Sequence, residues 1–260
     1  ISGGLVGSEM CIRDRYDWDP VYVYGENGND TFTLSGDGHY WINSWLGNGN
    51  DIYDASAATN YNYRSYTYGD SGNDTLIGND DNNLFYGGDD DDSINGGNGD
   101  NTLHGDNGND SIESGSGADT IYGGNNDDIL NAGGGNDVIY GGNSSAKGDD
   151  GSIDTAVFSG SSTDYKLSRA TDTNFDYVYY IQDTREGSPD GLDTLYDIDL
   201  FRFSDGDFEI DTYYNNKVGD GVGDDILLGT EGDDLIDGYG GDDTITGLGG
   251  DDIIIGGDGN

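Results

Sequence analysis

From Gly69 to Tyr140 one large apolar residue returns at every ninth position: Leu76, Phe85, Ile94, Leu103, Ile112, Ile121, Leu130 and Ile139. The positions between are mostly Gly, Asp, Asn, Ser and Thr. A helix would bring its apolar face back every three or four residues and would not accept Gly at this density. The pattern predicts short strands, each sending one large side chain into a thin interior and each joined to the next by a Gly-rich turn. The same beat resumes at Leu227, Ile236, Ile245 and Ile254. Those side chains are expected to point inward as well.

Between the two runs the beat is lost. Residues 152 to 211 include SIDTAVFSGSSTDYKLSR, NFDYVYYIQDTR and DGLDTLYDIDLFRFSDGDFEID, in which alternating β-branched and aromatic residues predict ordinary strands. The organisation that follows is an all-β chain. Residues 16–54 hold degenerate repeats, 55–68 a tyrosine-rich segment, 69–143 a first array, 144–218 a β-rich insert or cap, and 219–260 a second array that stops partway through a unit. The tyrosine-rich stretch NYNYRSYTYG, Asn60 to Gly69, is expected to pack along the flank of the stack, with an exposed sugar-stacking platform as the alternative. Leu5 to Arg15, LVGSEMCIRDR, reads as the translation of a common transposase sequencing adapter. Residues 1–15 are therefore expected to be an artefact, which leaves the remainder without cysteine and speaks against disulfide staples and thiolate metal sites.

Composition alters this picture in one respect. The chain carries 53 acidic and 9 basic residues, a formal charge of -44, and only 32% hydrophobic residues beside 48 glycines. Nucleic acid and anionic membrane surfaces are excluded as partners, because their phosphates would be repelled. So little apolar surface leaves chain entropy poorly opposed. Cations are the natural partners, and no apolar run is long enough to predict a transmembrane segment.

The units of the first array read GDSGNDTLI, GNDDNNLFY, GGDDDDSIN, GGNGDNTLH, GDNGNDSIE, SGSGADTIY, GGNNDDILN and AGGGNDVIY. Those of the second read DGVGDDILL, GTEGDDLID, GYGGDDTIT and GLGGDDIII, and weaker copies stand at 25 to 33 and 46 to 54. They resemble the calcium-binding nonapeptide of the repeats-in-toxin (RTX), or hemolysin-type, family. The resemblance implies six residues of turn and three of strand per unit, with two units making one coil of a right-handed parallel β-roll, here in two arrays. Residues eighteen apart would then lie on one edge, about 4.8 Å from each other. One edge would present Asp74, Asp92, Asp110 and Asp128, and the other Asn83, Asn101, Asp119 and Asp137. Carboxylates at that spacing repel by roughly 3 kcal/mol per neighbour at an effective dielectric of about 20. Hard oxygen ligands from Asp and turn carbonyls suit Ca²⁺ better than Mg²⁺, and zinc would want His or Cys. The expected ligands are Asp30, Asp51, Asp74, Asp92, Asp110, Asp119, Asp128, Asp137, Asp225, Asp234, Asp243 and Asp252. Neutral amide oxygens predict a weak or empty site between Asn83 and Asn101.

Catalytic signatures are absent. GDSG at Gly69 to Gly72 lies in phase with the repeat, His39 and His104 belong to no zinc motif, and no G-x-S-x-G elbow or EF-hand loop is found. The expectation is a non-enzymatic, calcium-binding fragment of a secreted bacterial protein. The resemblance implies passage through a type I secretion apparatus and folding on calcium outside the cell. An adhesin or a glycan- or ice-binding surface protein built on the roll, and the end of a secreted hydrolase or epimerase, are the alternatives. Repeated extracellular domains upstream would mark the first, and a catalytic domain the second.

Overall fold

A computed structural model describes residues 9–12, 21–37, 42–59, 65–142, 152–171, 177–210, 226–228, 234–238 and 240–257. The described chain is all-β and forms a parallel β-roll. Successive strands of the array alternate between a twelve-stranded and a ten-stranded sheet. Thr75–Ile77, Ser93–Asn95 and Ser111–Glu113 follow one another in the first, and Asn83–Asp89, Thr102–Asn107 and Thr120–Asn125 in the second. Leu76 pairs with Ile94, and Leu103 with both Phe85 and Ile121, an offset of eighteen throughout. The earlier coils keep the same topology with longer offsets, as Thr31 pairs with Ile52 and Ile52 with Thr75.

The ninefold apolar residues fill the space between the sheets. From Leu76 to Ile139 none is more than 1% exposed, and Tyr53 meets Phe85 edge to face. Ile236 is buried likewise. Ile254 departs from the expectation at 50% exposure, because among the described residues its strand ends the sheet order and has a neighbour on one side only. Close stacking also requires glycine where turns touch: a Cβ on Gly108 (φ 144°) would lie 2.1 Å from the carbonyl oxygen of Asp90.

The insert carries both sheets onward. Thr155–Val157 pairs in parallel with Ile129–Asn131, and Leu192–Tyr196 with Val138–Gly142. Tyr165–Thr171 and Tyr177–Asp183 form an antiparallel hairpin beside Leu192–Tyr196 at the end of the ten-stranded sheet. Arg185 clasps this hairpin through Asp183 and Asp190. The twelve-stranded sheet runs on through Leu200–Phe203 and Gly206–Ile210 to Asp234–Asp237 and Ile253–Ile255 of the second array.

One outer face of the ten-stranded sheet carries a continuous pile of rings. Trp45, Tyr68, Tyr86, His104, Tyr122, Tyr140 and Tyr196 stack with centroids 4.5 to 5.8 Å apart. Tyr68, from the tyrosine-rich segment, thus packs along the flank, whereas Tyr61 and Tyr63 lie outside the described residues. Burial in this pile lowers the His104 pKa to about 4, so its ring is neutral at pH 7.

Candidate metal-binding edges

Each turn delivers its sixth residue to an edge of the roll just before the strand begins. On one edge these residues form a line of Asp30, Asp51, Asp74, Asp92, Asp110 and Asp128, all buried. Their two oxygens have different fates. From Asp51 onward Oδ1 accepts the backbone N–H of the preceding rung: Asp74 N–H donates to Asp92 Oδ1 at 2.7 Å, Asp92 to Asp110 at 2.8 Å and Asp110 to Asp128 at 2.7 Å. Oδ2 of Asp51, Asp74, Asp92 and Asp110 is buried and accepts no hydrogen bond. At Asp74, Asp92 and Asp110 it points at the first glycine of its own unit; a Cβ on Gly69, Gly87 or Gly105 would come within 2.3 Å of it. The carbonyl oxygen of the next coil's first glycine lies within 2.7 Å of the same points.

A buried carboxylate oxygen without a donor is costly. Burial, aided by charges on neighbouring rungs, raises the pKa of Asp74 to about 7 and that of Asp92 to about 8, against the backbone hydrogen bond that lowers it. Asp110 is raised to about 6, again first by burial. A line of oxygens that lack positive charge, each beside a glycine and a carbonyl, fits a hard cation ligated by oxygen. Among the described residues no three His, Cys, Asp or Glu side chains converge on one point. Turn carbonyls and water would therefore complete the shell of a calcium ion.

The opposite edge is built differently. Asn83, Asn101, Asp119 and Asp137 repeat the backbone ladder, with Asn83 N–H to Asn101 Oδ1 at 2.8 Å and Asp119 N–H to Asp137 Oδ1 at 2.8 Å. At Asn83, Asn101 and Asp119 the second atom of the side chain is supplied with a partner. Asn83 Nδ2 donates to the carbonyl oxygens of Asp81 and Gly96 at 2.6 and 2.9 Å, and Asn101 Nδ2 to those of Gly99 and Ser114 at 3.1 Å each. The Ser114 hydroxyl donates to Asp119 Oδ2 at 2.8 Å. At two rungs an amide group occupies the place that a cation would take at the carboxylate rungs.

Adjacent residues clamp each coil from both sides. While the sixth residue accepts from the coil before it, the fifth accepts from the coil after it: Asn109 N–H donates to Asp91 Oδ1 at 2.8 Å and Asp127 N–H to Asn109 Oδ1 at 3.1 Å.

Of the other expected ligands, Asp243 and Asp252 stand at partly buried turn positions in the second array, and Asp234 begins a strand there. Asp225 lies outside the described residues. Sequence reasoning missed two rungs. Asp154 Oδ1 accepts Asp128 N–H at 3.0 Å and Asp193 Oδ1 accepts Asp137 N–H at 3.0 Å, so both ladders extend into the insert. A partial signal exists: Gly191-Leu192-Asp193-Thr194-Leu195 and Asp154-Thr155-Ala156 reproduce the tail of the repeat, out of phase with the arrays.

The sequence model of the RTX calcium-binding nonapeptide repeat (4 copies) matches residues 68–103, 95–130, 104–139, 122–145 and 220–254. No curated protein matches the chain. Among solved structures, the crystal structure of extracellular lipase LipA from Serratia marcescens aligns at 17% identity over 89% of this chain and 33% of that one, with a TM-score of 0.24. At that score the likeness decides nothing, and this chain spans only about a third of the lipase chain's length. The repeats, the parallel two-sheet stack and the carboxylate edge agree with the family match, and the two arrays, residues 68–145 and 220–254, carry the RTX calcium-binding nonapeptide repeat.

Proposed function

We propose that this segment is a calcium-dependent folding module of a secreted protein, with no catalytic step of its own. The observation that carries the reading is the row of buried, unpartnered Oδ2 atoms on Asp51, Asp74, Asp92 and Asp110. When bound, calcium supplies the positive charge those atoms lack. Ion binding is then part of the folding free energy, and the ion-free chain is held back by carboxylate repulsion. A chain of this charge would remain unfolded where calcium is scarce, cross a type I secretion apparatus in that state, and fold outside the cell. No helix among the described residues is long and apolar enough to cross a membrane. Ser71 and His104 support the non-catalytic reading, since the Ser71 hydroxyl donates to Asn48 Oδ1 at 2.6 Å and the His104 ring lies between Tyr86 and Tyr122. Circular dichroism of the full chain titrated with CaCl₂ and separately with MgCl₂ tests the proposal. Calcium is expected to induce the β spectrum and magnesium to do so poorly. A complete β spectrum at pH 8.5 in chelator would overturn it.

A further inference from the structure

The second edge is sealed by its own side chains at three rungs and left open at the fourth. Amide groups serve Asn83 and Asn101, and the Ser114 hydroxyl serves Asp119. Asp137 has no such helper: the residue at the place of Ser114 in its unit is Ala132. Asp137 is 1% exposed, and its Oδ2 accepts no hydrogen bond. The next rung is Asp193 of the insert, 2% exposed, which takes the Asp137 N–H on Oδ1. Two buried carboxylates therefore meet where the array joins the insert. Arg185 does not balance them, because its guanidinium is engaged by Asp183 and Asp190. Asp190 is in turn held by the Ser159 and Tyr165 hydroxyls.

We infer that Asp137 and Asp193 form a calcium site that ties the insert to the first array, on an edge whose earlier rungs have replaced the ion with amide and hydroxyl groups. Asp193 lies outside the residues matched by the repeat family. The inference rests on the calcium reading above and adds a ligand from beyond the repeats. Burial first, then the charges of the neighbouring rungs, raises the Asp137 pKa to about 7; Asp193, raised by burial and by Asp137, reaches about 8. Both shifts express the same deficit of positive charge.

Calorimetric calcium titration of the full chain tests it with two substitutions of different kinds. Asp193→Asn keeps the Oδ1 acceptor, as Asn101 does for Asn83, but removes the charge. Ala132→Ser installs beside Asp137 the hydroxyl that Ser114 offers Asp119, and disturbs no rung. Each is expected to bind one calcium fewer than the unmodified chain, whereas Asp119→Asn is expected to leave the number unchanged. If both variants bind the full number with unaltered affinity, the junction site is refuted while the general calcium reading stands. An unmodified chain that takes up no calcium refutes both. Should Asp193→Asn fail to give the β spectrum in calcium, Ala132→Ser alone decides.

Discussion

Replacing Asp92 by Asn should stabilise the roll without calcium and destabilise it with calcium. Asp92 sits one strand spacing from Asp74 and Asp110, each of which it meets at about 3 kcal/mol of repulsion when all are charged and the effective dielectric is about 20. Part of that repulsion is relieved by protonation, since burial sets the Asp92 pKa at about 8. The measurement therefore belongs at pH 8.5. The carbonyl oxygen of Gly105 lies 2.7 Å, and Asp92 Oδ2 2.3 Å, from one point, the Cβ position of Gly87. An amide at residue 92 can thus donate to Gly105 as Asn83 does to Gly96, a gain of about 1 kcal/mol. With repulsion discounted for proton uptake, the ion-free roll should gain about 2 to 4 kcal/mol. In calcium the same change weakens the ions on both sides of the rung, towards Asp74 and towards Asp110; at a hundred times Kd each contributes about 2.7 kcal/mol, so losing both, about 5.4 kcal/mol, outweighs that gain. Urea unfolding followed by circular dichroism, once in chelator and once in saturating calcium, reads both signs. The reciprocal Asn101→Asp should show the opposite pair. Asp92→Asn shifting stability in the same direction under both conditions would refute the reasoning.

Two further outcomes follow from the same site and from the core. The folded pKa values of Asp74, Asp92 and Asp137 are raised to about 7, 8 and 7, above their unfolded values. The ion-free roll should therefore be most stable below about pH 4 and lose that stability as pH climbs to about 8. Calcium affinity should rise across the same interval with release of protons, and titrations at pH 6 and 8 in two buffers of different ionisation enthalpy check this; pH-independent affinity contradicts it. Ile121→Ala, at a fully buried position, should cost about 2 to 5 kcal/mol in calcium, measurable as a lower midpoint in urea.

The roll was legible in the sequence because nearly every residue of the repeat answers to one local demand: glycine at contacts, one apolar residue inward, an acid at the edge. The eighteen-residue register followed once two units were assigned to a coil, and Leu103 between Phe85 and Ile121 displays it. The contrast between the edges was only half legible. Asn83 and Asn101 could be read as weaker ligands, but that their amides fill the ion's place depends on where the Gly96 and Ser114 carbonyls fall. The pile of rings has a period of eighteen in Tyr68, Tyr86, His104, Tyr122 and Tyr140, a beat that a ninefold reading passes over. Asp154 and Asp193 were hidden for another reason: stretches of sequence of irregular length precede them, so spacing breaks although pairing does not.

The paired clamps of the fifth and sixth residues put the cohesion of this protein at the boundaries between coils more than inside any one of them. Each boundary that closes fixes the acceptors of the next, as Asn109 does between Asp91 and Asp127. Such a stack behaves as a one-dimensional chain of nearest-neighbour couplings, in which starting a run is costly and lengthening it is cheap. The steepness of its response to calcium is then set by how many coils switch together, so the number of repeats acts as the gain of the device.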